Sequence, residues 1–90
     1  MRKRDKLRVI YDILNIIKNH QNSIKPTPLL RYSNLSTQSY NEYFSELKEK
    51  EFVKIEKDSK GKKFITLTDK GFKYLEKYRV IVGFIDDFGL

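Results

Sequence analysis

The chain has 90 residues, 39% of them apolar and 34% charged, with no cysteine and 19 lysines and arginines against 12 acids, for a net charge of +7. That length holds one domain with a thin core, and the composition excludes a disulfide framework and a cysteine-based zinc site. No apolar run approaches the ~20 residues of a membrane span, and the basic excess favours a polyanionic partner.

Leu7, Ile10, Ile13, Leu14 and Ile17 recur at helical spacing and predict a first helix over residues 5–20. A basic group, Arg2, Lys3, Arg4, Lys6 and Arg8, surrounds its start, offset only by Asp5. Asn22 and Ser23 mark a loop. In KPTPLLRYSN, Pro26 is expected to stop any preceding helix. Thr27 is expected to cap a short helix over residues 28–32, with Pro28 at the first position, where a missing N–H costs nothing. Ser33 and Asn34 form a turn, and Asn34 tolerates a left-handed backbone. Leu35 then acts as a buried staple and Ser36 caps a third helix over residues 37–50. Tyr40, Tyr43, Phe44 and Leu47 form the inner stripe of that helix.

After this helix the period changes. Phe52, Val53 and Ile55 begin a strand, residues 57–61 have turn chemistry with Gly61 suited to positive φ, and residues 63–67 return. Thr68 caps a last helix beginning DKGFKYLEKY. Phe72 and Leu75 are expected to face the core. Tyr74, Tyr78, Ile81, Val82, Ile85 and Phe88 are expected to leave an exposed apolar stripe, the kind of surface that marks an interface.

The order is helix, short helix, longer helix, hairpin, final helix. This is a mainly α fold with a small β-hairpin (α+β), in the winged helix-turn-helix arrangement. The stretches KLRVIYDIL, KPTPLLRYSNLSTQSYNEYFSELKEKEFV and GKKFITLTDKGFKYLEKY resemble the small archaeal winged-helix DNA-binding proteins. Among these is the ten-kilodalton chromatin-associated type, whose long last helix pairs as an antiparallel coiled coil. The resemblance covers residues 6–78. Its strongest elements are Tyr32, Leu35 and Ser36, then Tyr43 with Leu47, then Thr68, Asp69, Lys70 and Gly71, the last group being common to many winged-helix families. It implies a DNA-binding domain over residues 1–68, a dimerisation helix over 69–90, double-stranded DNA as partner, and a cytoplasmic, nucleoid-associated homodimer. Two departures stand out. Glu51 occupies the place where such proteins usually have glycine, so the third helix is expected to close in another way. Gly83 is expected to interrupt the last helix, which does not favour a long coiled coil.

In such a fold the third helix enters the major groove by its N-terminal half. Ser36, Thr37, Gln38, Ser39, Asn41 and Ser45 are the candidate contacts. Gln and Asn can each offer a paired donor and acceptor to adenine, and the first-turn amides suit a phosphate. Glu42, Glu46 and Glu49 would be repelled by DNA, so the second half of the helix should tilt away. The attraction is assigned to Lys57, Lys60, Lys62 and Lys63 on the hairpin, where lysines neutralise phosphates and release counterions. Arg4, Lys25 and Arg31 are possible further phosphate contacts. His20 has no second ligand for a metal, Asp86 and Asp87 point apart on a helix, and no nucleophile–base pair or phosphate-cradling loop occurs. No enzyme, cofactor, metal or small-molecule effector is expected. Two rival roles remain: a protein-interaction winged helix in a larger assembly, and RNA binding through the hairpin and aromatic side chains.

Overall fold

The computed structural model describes residues 5–90. Arg2, Lys3 and Arg4 of the basic N-terminus lie outside the described residues. Four helices and one hairpin follow in the order α1 (Lys6–Asn19), α2 (Pro26–Ser33), α3 (Thr37–Glu49), β1 (Val53–Lys57), β2 (Lys63–Leu67) and α4 (Asp69–Asp87).

Asp5 starts α1 by accepting a hydrogen bond from the Arg8 amide at 2.8 Å. Its buried stripe is Val9, Ile10, Ile13, Leu14 and Ile17. Leu7, expected in that stripe, is exposed, and Val9 takes its place. The chain leaves α1 through two successive left-handed residues, Gln21 and Asn22. The Asn22 side-chain oxygen then accepts from the Leu67 amide at 2.7 Å, which ties this loop to β2. Ile24 pairs with Ile65 as an isolated antiparallel bridge, a third rung beside the hairpin.

The second helix begins two residues before its expected start. Pro26 is its first residue, Lys25 its cap position, and no side chain caps it, so Thr27 does not play the role assigned to it. The physical reason is that the first helical amides lack intrahelical acceptors, so Pro26 and Pro28 both fit in the first turn without loss. Ser33 belongs to the helix rather than the turn. It is buried and its hydroxyl donates to the Leu30 carbonyl at 2.6 Å. Asn34 takes the left-handed conformation, as expected.

The hairpin pairs Val53 with Leu67, Ile55 with Ile65 and Lys57 with Lys63. One core joins all elements. Ile13, Leu14, Ile17, Leu29, Leu47 and Ile65 are its most enclosed apolar side chains, with Leu67 and Leu75 beside them. Each contributes roughly 1.5–3 kcal/mol by leaving water.

In α4 the helix runs unbroken through Gly83, contrary to expectation. An isolated glycine weakens a helix by only about 1 kcal/mol, too little to stop one this long. Gly71 has a different role. A Cβ there would lie 2.3 Å from the Phe52 carbonyl oxygen, so only glycine allows α4 to approach the chain this closely. Phe72, expected in the core, is exposed, and no residue after Leu75 is buried. The helix therefore leaves the core after two turns, and the described chain is 50 Å in its longest dimension. Among the described residues no helix is long and apolar enough to cross a membrane.

Candidate nucleic-acid interface

Leu35 packs against the core and Ser36 caps α3, its hydroxyl accepting from the Ser39 amide at 3.1 Å. The amides of Thr37 and Gln38 remain at the open end of the helix, where the macrodipole favours an anion. Tyr40 and Leu47 are buried, and Tyr43 and Phe44 half-buried, so the inner stripe is as expected. Burial pushes the Tyr40 phenol up to about 12. The opposite stripe, Gln38, Asn41 and Ser45, is exposed, as is Thr37, while Ser39 is half-buried.

The acids on α3 divide into two groups. Glu46 turns inward to an ion pair with Lys6 of α1 at 2.9 Å and with Lys50 at 2.8 Å. Hydrogen bonds from Lys50 and then Lys6 hold its carboxyl below the usual carboxylate range. Glu42 and Glu49 stay exposed; Glu42 lines a shallow depression with Lys6, Tyr43 and Glu46. Glu42 thus lies close to Lys6 at the start of α1.

On the hairpin, Asp58 does more than dilute the lysines. Its carboxylate accepts from the Lys60 amide at 2.8 Å and the Lys62 amide at 2.9 Å, while Gly61 takes positive φ. The loop is thereby held in one shape. Lys57 and Lys63 stand directly opposite each other across the two strands, an arrangement that costs tenths of a kcal/mol unless an anion relieves it. Lys57, Lys60, Lys62 and Lys63 are exposed, and none of these four belongs to an ion pair among the described residues, whereas Lys54 on β1 pairs with Glu56 at 3.1 Å. Lys25 is exposed at the start of α2, next to the Ile24–Ile65 bridge, which places it beside the middle of β2. Arg31 is also exposed and lies 5.5 Å from the Tyr32 ring centre. Arg4 lies outside the described residues.

The apolar stripe on α4 is only partly free. Tyr74 donates its hydroxyl to the Leu7 carbonyl at 2.7 Å and meets the Phe52 ring edge-on. Burial is the main cause that pushes its phenol up to about 12. Tyr78 stacks on Tyr11 with ring centres 4.6 Å apart. Val82 and Ile85 are half-buried. The open apolar surface is made by Ile81 (51% exposed), Phe84 (57%) and Phe88 (68%), with Val80 and Leu90 beside them. Sequence reading missed Phe84, although 81, 84 and 88 follow helical spacing; the signal was present. It also missed an apolar groove of about 340 Å³ between Leu7, Phe52, Tyr74 and Ile81, bordered by Lys73 and Lys77. No spacing rule could reveal the groove, because its walls come from three separate segments.

A three-helix core, a tight turn before an exposed helix, and a basic hairpin define a winged helix-turn-helix. The chain belongs to that family: the winged helix-turn-helix family model matches residues 3–84. It is 32% identical over 83 residues to the uncharacterized protein MJ0290 of Methanocaldococcus jannaschii, a match covering 92% of this chain. The chain spans 36% of that relative's length. Among solved structures it is similar to Sso10a-2, a DNA-binding protein from Sulfolobus solfataricus, with a TM-score of 0.74 and 15% identity. That match covers 94% of this chain and 85% of the other, and it shows a shared fold.

Proposed function

We propose that this chain binds double-stranded DNA as a transcriptional regulator or chromatin-type protein, and that it acts by binding rather than by catalysis. Ser36, Thr37, Gln38, Ser39, Asn41 and Ser45 present α3 to the major groove. Lys57, Lys60, Lys62 and Lys63 lie along a phosphate backbone, with Lys25 and Arg31 as further contacts. The observation that carries this reading is the pairing of an uncharged, capped helix end with a shaped hairpin whose Lys57, Lys60, Lys62 and Lys63 have no acidic partner among the described residues. The family, and a structural neighbour described as DNA-binding, support it.

The same reading makes the chain a homodimer through α4. Ile81, Phe84 and Phe88 would be covered by the second copy, which removes an apolar surface that a monomer leaves in water. Sedimentation tests this directly: Ile81→Asp with Phe84→Asp should give a folded monomer where the parent is a dimer. A parent that sediments as a monomer at all concentrations removes the dimer.

The nucleic-acid reading is tested by duplex binding across a salt series, with DNA and RNA in competition. DNA should win, and the logarithm of its affinity should fall steeply against the logarithm of salt. RNA winning would favour the hairpin and aromatics over α3, because a deep A-form major groove excludes a helix. Affinity indifferent to salt would favour a protein partner instead.

A further inference from the structure

The end of α3 and the start of α4 are joined by a dense set of bonds that DNA binding does not require. Three consecutive carbonyls leave the recognition helix, those of Lys50, Glu51 and Phe52. Each accepts a hydrogen bond from the start of α4. Lys70 Nζ donates to the Lys50 oxygen at 2.8 Å. The Thr68 hydroxyl donates to the Glu51 oxygen. The Thr68 amide donates to the Phe52 oxygen at 3.1 Å.

Other contacts tighten the same junction. The Lys70 ammonium lies 5.0 Å from the centre of the Phe52 ring. Gly71 lets the α4 backbone touch the Phe52 carbonyl. Glu51 takes a left-handed backbone, φ 62°, although it is not glycine. Such a residue costs about 1–2 kcal/mol and persists where its surroundings over-determine it. The Phe52 amide bonds back to the Leu47 oxygen at 2.9 Å and the Glu51 amide to the Lys48 oxygen at 3.0 Å, closing the helix. The chain therefore turns once, in one conformation, with its carbonyls aimed at α4.

We infer that Thr68 and Lys70 are positioning residues that make α3 and α4 one rigid body, so that the pairing of α4 helices sets the spacing and orientation of the two DNA half-sites. This rests on the proposed DNA-binding dimer. The two half-sites of a dimer are separated by a distance that the protein's geometry dictates. In this protein the dimerising helix does not hang from the DNA-binding core by a loop. It begins at Thr68, one residue after β2, and grips the turn that closes the recognition helix.

The test separates this inference from the reading beneath it. The chain has no cysteine, so Glu49→Cys and Glu76→Cys, both at exposed positions, place spin labels on α3 and α4 alone. Diluted into unlabelled protein, the parent should give one narrow distance between them. Thr68→Val with Lys70→Met should broaden it. Lys70→Met by itself, which keeps the Thr68 cap and thus the fold, should broaden it less, and Lys70→Arg should restore it. The second measurement uses duplexes with two copies of a site that the parent selects from random DNA, their spacing stepped by single base pairs. The parent should prefer its best spacing by about tenfold over its worst, and Lys70→Met should flatten this while single-site affinity stays unchanged. An unaltered distance distribution in the double variant overturns the rigid body. A broadened distribution with intact spacing preference overturns its role in half-site geometry. Failure of the parent to bind any duplex, with the distribution still responding, overturns the DNA-binding reading and with it that role, while the rigid junction stands.

Discussion

In the proposed reading, α3 and the hairpin divide the work of holding an anionic polymer in opposite ways. In α3, Gln38 and Asn41 are groups that can distinguish bases, and the helix carries no charge before Glu42. The hairpin carries five lysines, of which Lys57, Lys60, Lys62 and Lys63 have no acidic partner among the described residues. A glutamine on the hairpin would add little to attraction. Two functions kept on separate elements would let affinity and specificity change independently, and that proposed separation can be tested.

The largest expected effect comes from removing the charge. Lys57, Lys60, Lys62 and Lys63→Ala together should weaken binding to every duplex by about a hundredfold or more at low salt. The slope of log affinity against log salt should shrink by about 3–4. Filter binding across a salt series measures both, and an unchanged slope would place the phosphate contacts elsewhere.

Next comes the joint between the two elements. Gly71→Ala forces a methyl against the Phe52 carbonyl and should destabilise the fold by about 1–3 kcal/mol, read by urea denaturation. It disturbs α3 and the hairpin equally, so it serves as the control that affects both. Gln38→Ala and Asn41→Ala should do the reverse of the lysine change. Each should cost about 1–3 kcal/mol at its own base and leave the salt slope intact. If selection from random duplexes returns the parental site for both variants, α3 does not read bases and the two elements are not specialised.

The smallest effect concerns how α3 ends. Glu51→Gly relieves a left-handed residue and should stabilise the protein by about 0.5–1 kcal/mol in thermal unfolding, without touching either surface. A loss of stability would mean that the Glu51 side chain supports the junction in a way its backbone bonds do not reveal.

Much of this was legible in the amino-acid order. The caps at Ser36 and Thr68, the inner stripe of α3, the turn at Asn34 and the hairpin with positive φ at Gly61 all follow from local chemistry acting over a few residues. Where local rules failed, a stronger local preference or a tertiary contact outweighed them. Thr27 is a good cap residue, yet the helix begins at Pro26. Leu7 fits the apolar period of α1, yet it lies exposed beside Tyr74. Gly83 lowers helix propensity, yet eighteen other helical residues carry α4 through it. Glu51 is a poor residue for its backbone, yet three bonds from α4 surround the carbonyls of that turn.

The sequence by itself determined the element order, the capping and the segregation of charge, because each depends on neighbours within one or two helical turns. Only the tertiary structure decided which aromatic residues of α4 are consumed within the chain and which remain open. Tyr74 and Tyr78 look like Phe84 and Phe88 in any local pattern. They differ because the first pair meets Leu7 and Tyr11 of α1, while Phe84 and Phe88 lie on a different face of α4 that the described chain leaves open. Tertiary contact likewise turned Glu46 toward Lys6, and fastened α4 to the end of the recognition helix through carbonyls that no side-chain pattern records.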